Sequence, residues 1–386
     1  MKANINSIFI IFCSLFAIYD FIKNKKKIVF SKHLFSLTII FWAYLFYEIL
    51  SLSFNLNTIL LHLPFLAVPL LFLYRPNYID NKIKEQSILV FQVSVLIQVF
   101  IYLFVFLQDN LIAQIFSINS YNIPYFRTFV FNNTVVDIHS TYFSAILLVS
   151  FTISLFHIFN YKSKIKTLLN VINIAITSLF IFVFISKVVI ITYIITIFAF
   201  LIINFAKKNI IFFLKTIILL IIMGGVLTFA FKNLIIDRFD EIRTEINRPL
   251  VGDYHNSTNI RVAIISCSVN LLKKSPILGY GSNLQAQLNE CYGSNYNSDF
   301  YKISIYNTHN YYFHIILYGG WFFLMLFVYY LFYLLIKVKY PVLILIIILQ
   351  ILFINFTENF FSRHHGIILF IYLISLFLPD KRKQLT

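Results

Sequence analysis

Apolar runs of about 17 to 25 residues recur from one end of this 386-residue chain to the other, each long enough to cross a hydrocarbon core as a helix. No polar half interrupts them. The runs are continuous in Ile, Leu, Phe and Val, whereas a membrane barrel would alternate in segments of roughly ten residues. Lipid offers the backbone no hydrogen-bonding partner, and a helix satisfies its own. The chain is therefore expected to be all-α, a polytopic transmembrane helical bundle of about 11 spans. These fall near 5–22, 33–54, 57–74, 87–107, 139–160, 167–185, 187–206, 210–231, 310–336, 341–357 and 365–379. A hydrophobic share of 60%, a charged share of 12% and a mean hydropathy of +0.84 exclude a water-soluble domain. The whole of 1–386 reads as one integral membrane domain, with one large polar loop at 232–309.

The formal charge of +16 would suit nucleic acid if it lay along one face, but it does not. Lys and Arg sit in short clusters: Lys23 to Lys32 after the first run, Arg75 to Lys84 after the third, Lys162 to Lys166 after the fifth. Lys207 and Lys208, Lys337 and Lys339, and Lys381 to Lys383 continue the alternation. The positive-inside rule then places the N-terminus outside, the C-terminus in the cytoplasm and the 232–309 loop outside. No nucleic acid partner is expected. The first run has no basic segment before it beyond Lys2 and no small-residue cleavage pattern after it, which predicts a retained helix. Cys13, Cys267 and Cys291 are too few for a disulfide framework; an oxidising compartment would permit a Cys267–Cys291 bridge without requiring it.

The large loop carries the chemistry. Ile260, Ile264, Cys267 and Leu271 recur at helical spacing, so a helix is expected over 258–272, capped by Thr258 or Asn259. Arg261 then lies in the first turn, where a cation opposes the helix dipole. Either an external anion or a salt bridge to Asp253 or Glu245 would account for it. Pro276 ends the helix, and Gly279 and Gly281 open backbone conformations closed to other residues. The loop closes on Thr308-His309-Asn310-Tyr311 at the outer mouth of the ninth run, with Gly319-Gly320 inside that run. A histidine there is a candidate general base or a structural hydrogen-bonding group.

Taken in order, Asn259-Ile260-Arg261, Lys274-Ser275-Pro276-Ile277-Leu278-Gly279-Tyr280-Gly281 and Thr308-His309-Asn310-Tyr311 with Gly319-Gly320 resemble the O-antigen ligase and polymerase family of bacterial membrane glycosyltransferases. The resemblance is closest over about 180–340. It implies a metal-independent, cofactor-free enzyme of the bacterial inner membrane that acts in surface polysaccharide biosynthesis. The implied donor is an undecaprenyl-diphosphate-linked glycan, and the implied acceptor another glycan or a lipid A core. Membrane lipids surround it, and a chain-length regulator or a flippase would be further partners. Polymerase activity is marginally preferred over ligase activity.

The resemblance assigns diphosphate binding to Arg261 and the catalytic centre to His309. Lys187, in Ser186-Lys187, stands where relatives often have arginine, and would keep the charge while losing the planar fork. Arg363 is a third candidate diphosphate ligand. Glu358, on the same external turn as Arg363, is a candidate acid or the salt-bridge partner of Arg363. His139 and Asn310 complete the candidates, His139 being equally explained as an interface residue. Lys187, Arg261, His309 and Arg363 are expected to converge if the loop folds back. Glu48, within the second run, must face protein or water because lipid disfavours it, and has no assigned role. A lipid-linked oligosaccharide flippase and a membrane scaffold are the rival readings; neither predicts a need for Arg261 and His309 in chemistry.

Overall fold

A computed structural model describes residues 32–51, 54–73, 81–117, 124–132, 138–160, 164–206, 257–274, 277–296, 306–338 and 341–377, with isolated positions elsewhere. The expected spans at 5–22 and 210–231 fall on residues described only at isolated positions. Among the described residues every regular element is helical. Within those residues five helices, Lys32–Leu50, Lys82–Asp109, Ser140–Ile158, Thr167–Phe184 and Tyr311–Lys337, are long and apolar enough to cross a membrane, and Leu56–Phe72, Lys187–Ile203, Val342–Ile354 and His364–Leu376 are shorter apolar stretches.

The chain divides into two compact units that interleave along the sequence. One comprises Asp80–Glu241 and Leu345–Ile354 with Met1–Lys2; the other comprises Ala3–Ile79, Ile242–Ile344 and Asn355–Thr386.

The second of these holds α1 (Lys32–Leu50), α2 (Leu56–His62) and α3 (Pro64–Leu73). The span expected at 57–74 is thus interrupted at Leu63. Pro64 has no N–H to continue the ladder and suits the first position of a new helix. The Tyr44 ring of α1 stacks on His62 of α2 at 3.6 Å between centroids.

In the other unit lie α4 (Asn81–Asp109), α5 (Tyr125–Asn132), α6 (Ser140–Asn160), α7 (Lys164–Phe184) and α8 (Lys187–Ala206). Its helices are joined by buried polar side chains. Asn173 of α7 donates to Ser150 Oγ (2.9 Å) and Ser154 Oγ (2.6 Å) of α6, and Gln92 of α4 donates to Ser154 Oγ and to Asn170 Oδ1. Gln350 donates to Thr152 and Thr196 hydroxyls at 2.6 and 2.7 Å. Apolar surface drives little association between helices in lipid, so such bonds fix partner and register.

The loop-bearing unit continues with α9 (Ser257–Lys274), α10 (Leu284–Tyr296) and α11 (Tyr311–Lys337). After α12 (Pro341–Ile354), whose residues from Leu345 belong to the other unit, it ends in α13 (His364–Leu376). The helix expected over 258–272 is α9, extended by a residue or two at each end; its expected caps, Thr258 and Asn259, have side chains outside those described. Cys267 of α9 and Cys291 of α10 form a disulfide.

Candidate active site

Two motifs separated in sequence interlock through their backbones. Gly279, Gly281 and Gly320 all have positive φ, at 74°, 56° and 73°. Gly319 and Gly320 leave helical geometry inside α11, and the turn at Ile277 to Gly281 fits into that break, Tyr280 N–H donating to Leu317 O at 2.7 Å. Any Cβ on Gly320 would stand 2.0 Å from Ile277 O, and one on Gly279 would stand 2.5 Å from Tyr318 O. Glycine is required here by contact as well as by conformation. Tyr280 OH donates to Leu271 O at 3.0 Å, and burial pushes its phenol above the usual value.

The head of α11 is fixed in the same way. Asn310 is its N-cap: Oδ1 accepts from Tyr312 N–H (2.9 Å) and Phe313 N–H (3.0 Å), while Nδ2 donates to Phe356 O at 3.0 Å. Tyr311 N–H donates to Asn355 O, and Asn359 Nδ2 donates to the buried Thr308 hydroxyl at 2.9 Å. These bonds zip residues 308–311 to residues 355–359. His309, between Thr308 and Asn310, is thereby held at a φ of 41°, in the left-handed region, and its N–H donates to Asn307 Oδ1 at 2.9 Å.

Glu358 lies beneath this junction with only 4% of its side chain exposed. Its Oε1 accepts from Arg261 Nη2 at 3.0 Å, and its Oε2 stands 3.6 Å from His309 Nδ1. The first is a charge-assisted hydrogen bond; the second is ion-pair distance, longer than a hydrogen bond. His309 Nδ1 is itself buried, so the 30% of this side chain that is exposed is the remainder of the ring. Arg261 is 40% exposed. One carboxylate therefore joins the cation of α9 to the imidazole at the head of α11, and the cation and the imidazole both remain partly exposed.

Several expectations change against this geometry. Arg261 pairs with Glu358; the partners expected from the sequence, Asp253 and Glu245, lie outside the described residues. Glu358 pairs with Arg261 and not with Arg363, which is exposed and precedes α13. The candidate Asn310 uses both ends of its side-chain amide in capping and tethering, a structural role.

Lys187 and His139 belong to the other unit. His139 Nδ1 accepts from Thr141 N–H at 3.2 Å at the head of α6, and its ring meets Phe131 edge-on and lies tilted against Tyr142. Lys187 opens α8 immediately after a tight turn in which Ile185 has a φ of 46°, a conformation that β-branched residues rarely adopt. Arg127 holds that turn, its Nη1 donating to Phe184 O at 2.9 Å and Ile185 O at 3.1 Å. Sequence reasoning gave Arg127 no role. Its only signal is that it is the sole basic residue between 108 and 138.

The family described as O-antigen ligase matches residues 172–328, from within α7 to within α11, and takes in Lys187, Arg261, His309 and both glycine motifs. No curated protein matches the chain. The resemblance seen over about 180–340 is thus met over nearly the same residues, and the chain carries, at residues 172–328, the domain of the O-antigen ligase family.

Proposed function

We propose that this protein is a membrane glycosyltransferase that moves a glycan from a polyprenyl diphosphate carrier to an acceptor hydroxyl outside the cytoplasm, as a polymerase of lipid-linked repeat units. The family domain supports the ligase and polymerase type of activity in polysaccharide biosynthesis. The observation that carries the mechanism is the Arg261–Glu358–His309 cluster.

In the reaction the acceptor oxygen forms a bond to the anomeric carbon, the bond from that carbon to the diphosphate oxygen breaks, and the acceptor proton leaves. The departing diphosphate gains negative charge, which a fixed guanidinium stabilises more in the transition state than in the ground state. Arg261 supplies it: one N–H engages Glu358, and the rest of its five-donor fork serves the phosphates. His309 accepts the proton on its exposed side while Glu358, facing Nδ1, stabilises the imidazolium that results. Arg363 retains its assigned diphosphate role within this proposal. A disulfide in the loop suits an oxidising compartment, which supports placing 232–309 in the periplasm and the chain in the inner membrane.

Arg261→Ala and His309→Ala each abolish transfer by reconstituted protein from purified lipid-linked donor, at normal membrane abundance. Unchanged product from both would reject the site. Deletion in the host decides the acceptor: a single repeat retained on core identifies a polymerase, whereas polymer accumulating on its carrier identifies a ligase.

A further inference from the structure

Glu48, in α1, is fully buried and makes contacts that neither the family domain nor the transfer reaction assigns. Its Oε1 accepts from Ser282 Oγ at 2.9 Å and from Tyr318 OH, and its Oε2 accepts from Asn55 N–H at 2.6 Å. Those partners lie on separate arms of one unit. Tyr318 is in α11, whose head carries His309. Ser282 lies in the middle of the Gly281–Asn283 turn into α10, which Cys291 joins to Cys267 of α9, the helix that carries Arg261. Asn55 caps α2, its Oδ1 accepting from Asn57 N–H. Next to Glu48, Tyr47 OH donates to Leu278 O at 2.7 Å, so α1 grips the glycine turn at two successive residues.

We propose that Glu48 is a positioning residue: its carboxylate ties the α11 arm and the α9–α10 arm to α1, and so sets where His309 and Arg261 stand relative to each other. The proposal rests on the functional reading above only for its activity readout. A carboxylate suits this junction because each oxygen accepts, and three donors converge on it from three elements. An amide can serve nearly as well, since its oxygen keeps the Asn55 N–H while the Ser282 and Tyr318 hydroxyls turn to donate or accept as required. An apolar side chain of the same length takes the shared acceptor away from all three donors, leaving Tyr318 OH only its contact with Thr58.

The test compares Glu48→Met and Glu48→Gln in the full-length protein reconstituted in lipid. Turnover of purified lipid-linked donor and amide hydrogen exchange of residues 277–283 and 307–313 are both read. In Glu48→Met, kcat falls at least about tenfold while KM for the donor stays within about twofold, the pattern of a lost transition-state interaction, and exchange quickens in both segments. Glu48→Gln restores kcat to within about threefold and restores protection. Unchanged kcat or unchanged exchange in Glu48→Met overturns the proposal, and so does a Glu48→Gln protein as impaired as Glu48→Met, because the charge and not the bonding would then matter. Should Glu48→Met fail to accumulate, Ser282→Ala and Tyr318→Phe each remove one donor and are read in the same way; wild-type behaviour in both overturns it. A wild-type protein inactive on the donor, with exchange responding as described, would reject the functional reading and leave the junction standing.

Discussion

At Glu358 one buried side chain meets a guanidinium through one oxygen and an imidazole through the other, so its removal acts on both. Replacing it with Gln keeps the shape and removes the charge that stabilises protonated His309. Glu358→Gln is expected to lower kcat about 10–100-fold with KM for the donor changed less than about threefold, in steady-state assays of reconstituted protein; a wild-type kcat would show that His309 works without it. Arg261 and His309 were legible in the sequence because each sits within a short motif whose neighbours have local reasons: a helix start, an N-cap, a glycine turn. Their common partner was not legible. Glu358 lies 97 residues beyond Arg261, and nothing local distinguishes pairing with Arg363 five residues on from pairing across that distance. Proximity in sequence offered only the near neighbour as a partner, and the zip between 308–311 and 355–359 brings in the far one.

Among the elements, α11 and the turn after α9 illustrate what glycine patterns reveal and conceal. The sequence marked Gly279 and Gly281 as a place of unusual backbone and Gly319-Gly320 only as part of the family pattern; that the two pairs fit against each other is a tertiary fact with no local trace. A contrast tests it. Gly320→Ala adds a Cβ 2.0 Å from Ile277 O at a φ of 73°, and should cost about 3 kcal/mol or more, seen as lost thermal stability or lost accumulation in membranes. Gly293→Ala, in α10, meets nothing within 4 Å and removes a weak helix former, so stability should hold or rise by up to about 1 kcal/mol. Equal effects from the two would reject the interlock. Helix limits were legible to within a few residues wherever the apolar run was long, as in α6, α8 and α11. The break between α2 and α3 has little trace in the hydropathy, because Pro64 lies inside a continuous apolar run and marks a helix start only by its missing N–H.

For the molecule as a whole, the alternation of basic clusters and apolar runs made a membrane helical protein legible, because lipid admits only helices and closed barrels and continuous apolar runs belong to the first. The division into two units was not legible: it depends on which helices pair, and apolar faces alike in composition do not encode that. The sidedness is testable together with the disulfide. In intact cells a membrane-impermeant maleimide should label cysteines placed in 232–309 and not those placed in 23–32, while Cys267 and Cys291 become reactive only after reduction. Replacing both with Ser should lower the stability of the α9–α10 pair by about 3 kcal/mol, as expected for releasing a 24-residue separation. Labelling of 23–32 from outside would invert the topology.

The loop-bearing unit is assembled from three stretches, Ala3–Ile79, Ile242–Ile344 and Asn355–Thr386, and its charged cluster spans the last two. During synthesis, helices that leave the ribosome first must wait in the bilayer for the tail that completes them. A nascent chain halted after residue 328 would hold the entire family domain and still lack Glu358, so the competence of this protein arrives with its final helices and no proteolytic fragment of the matched region should inherit it.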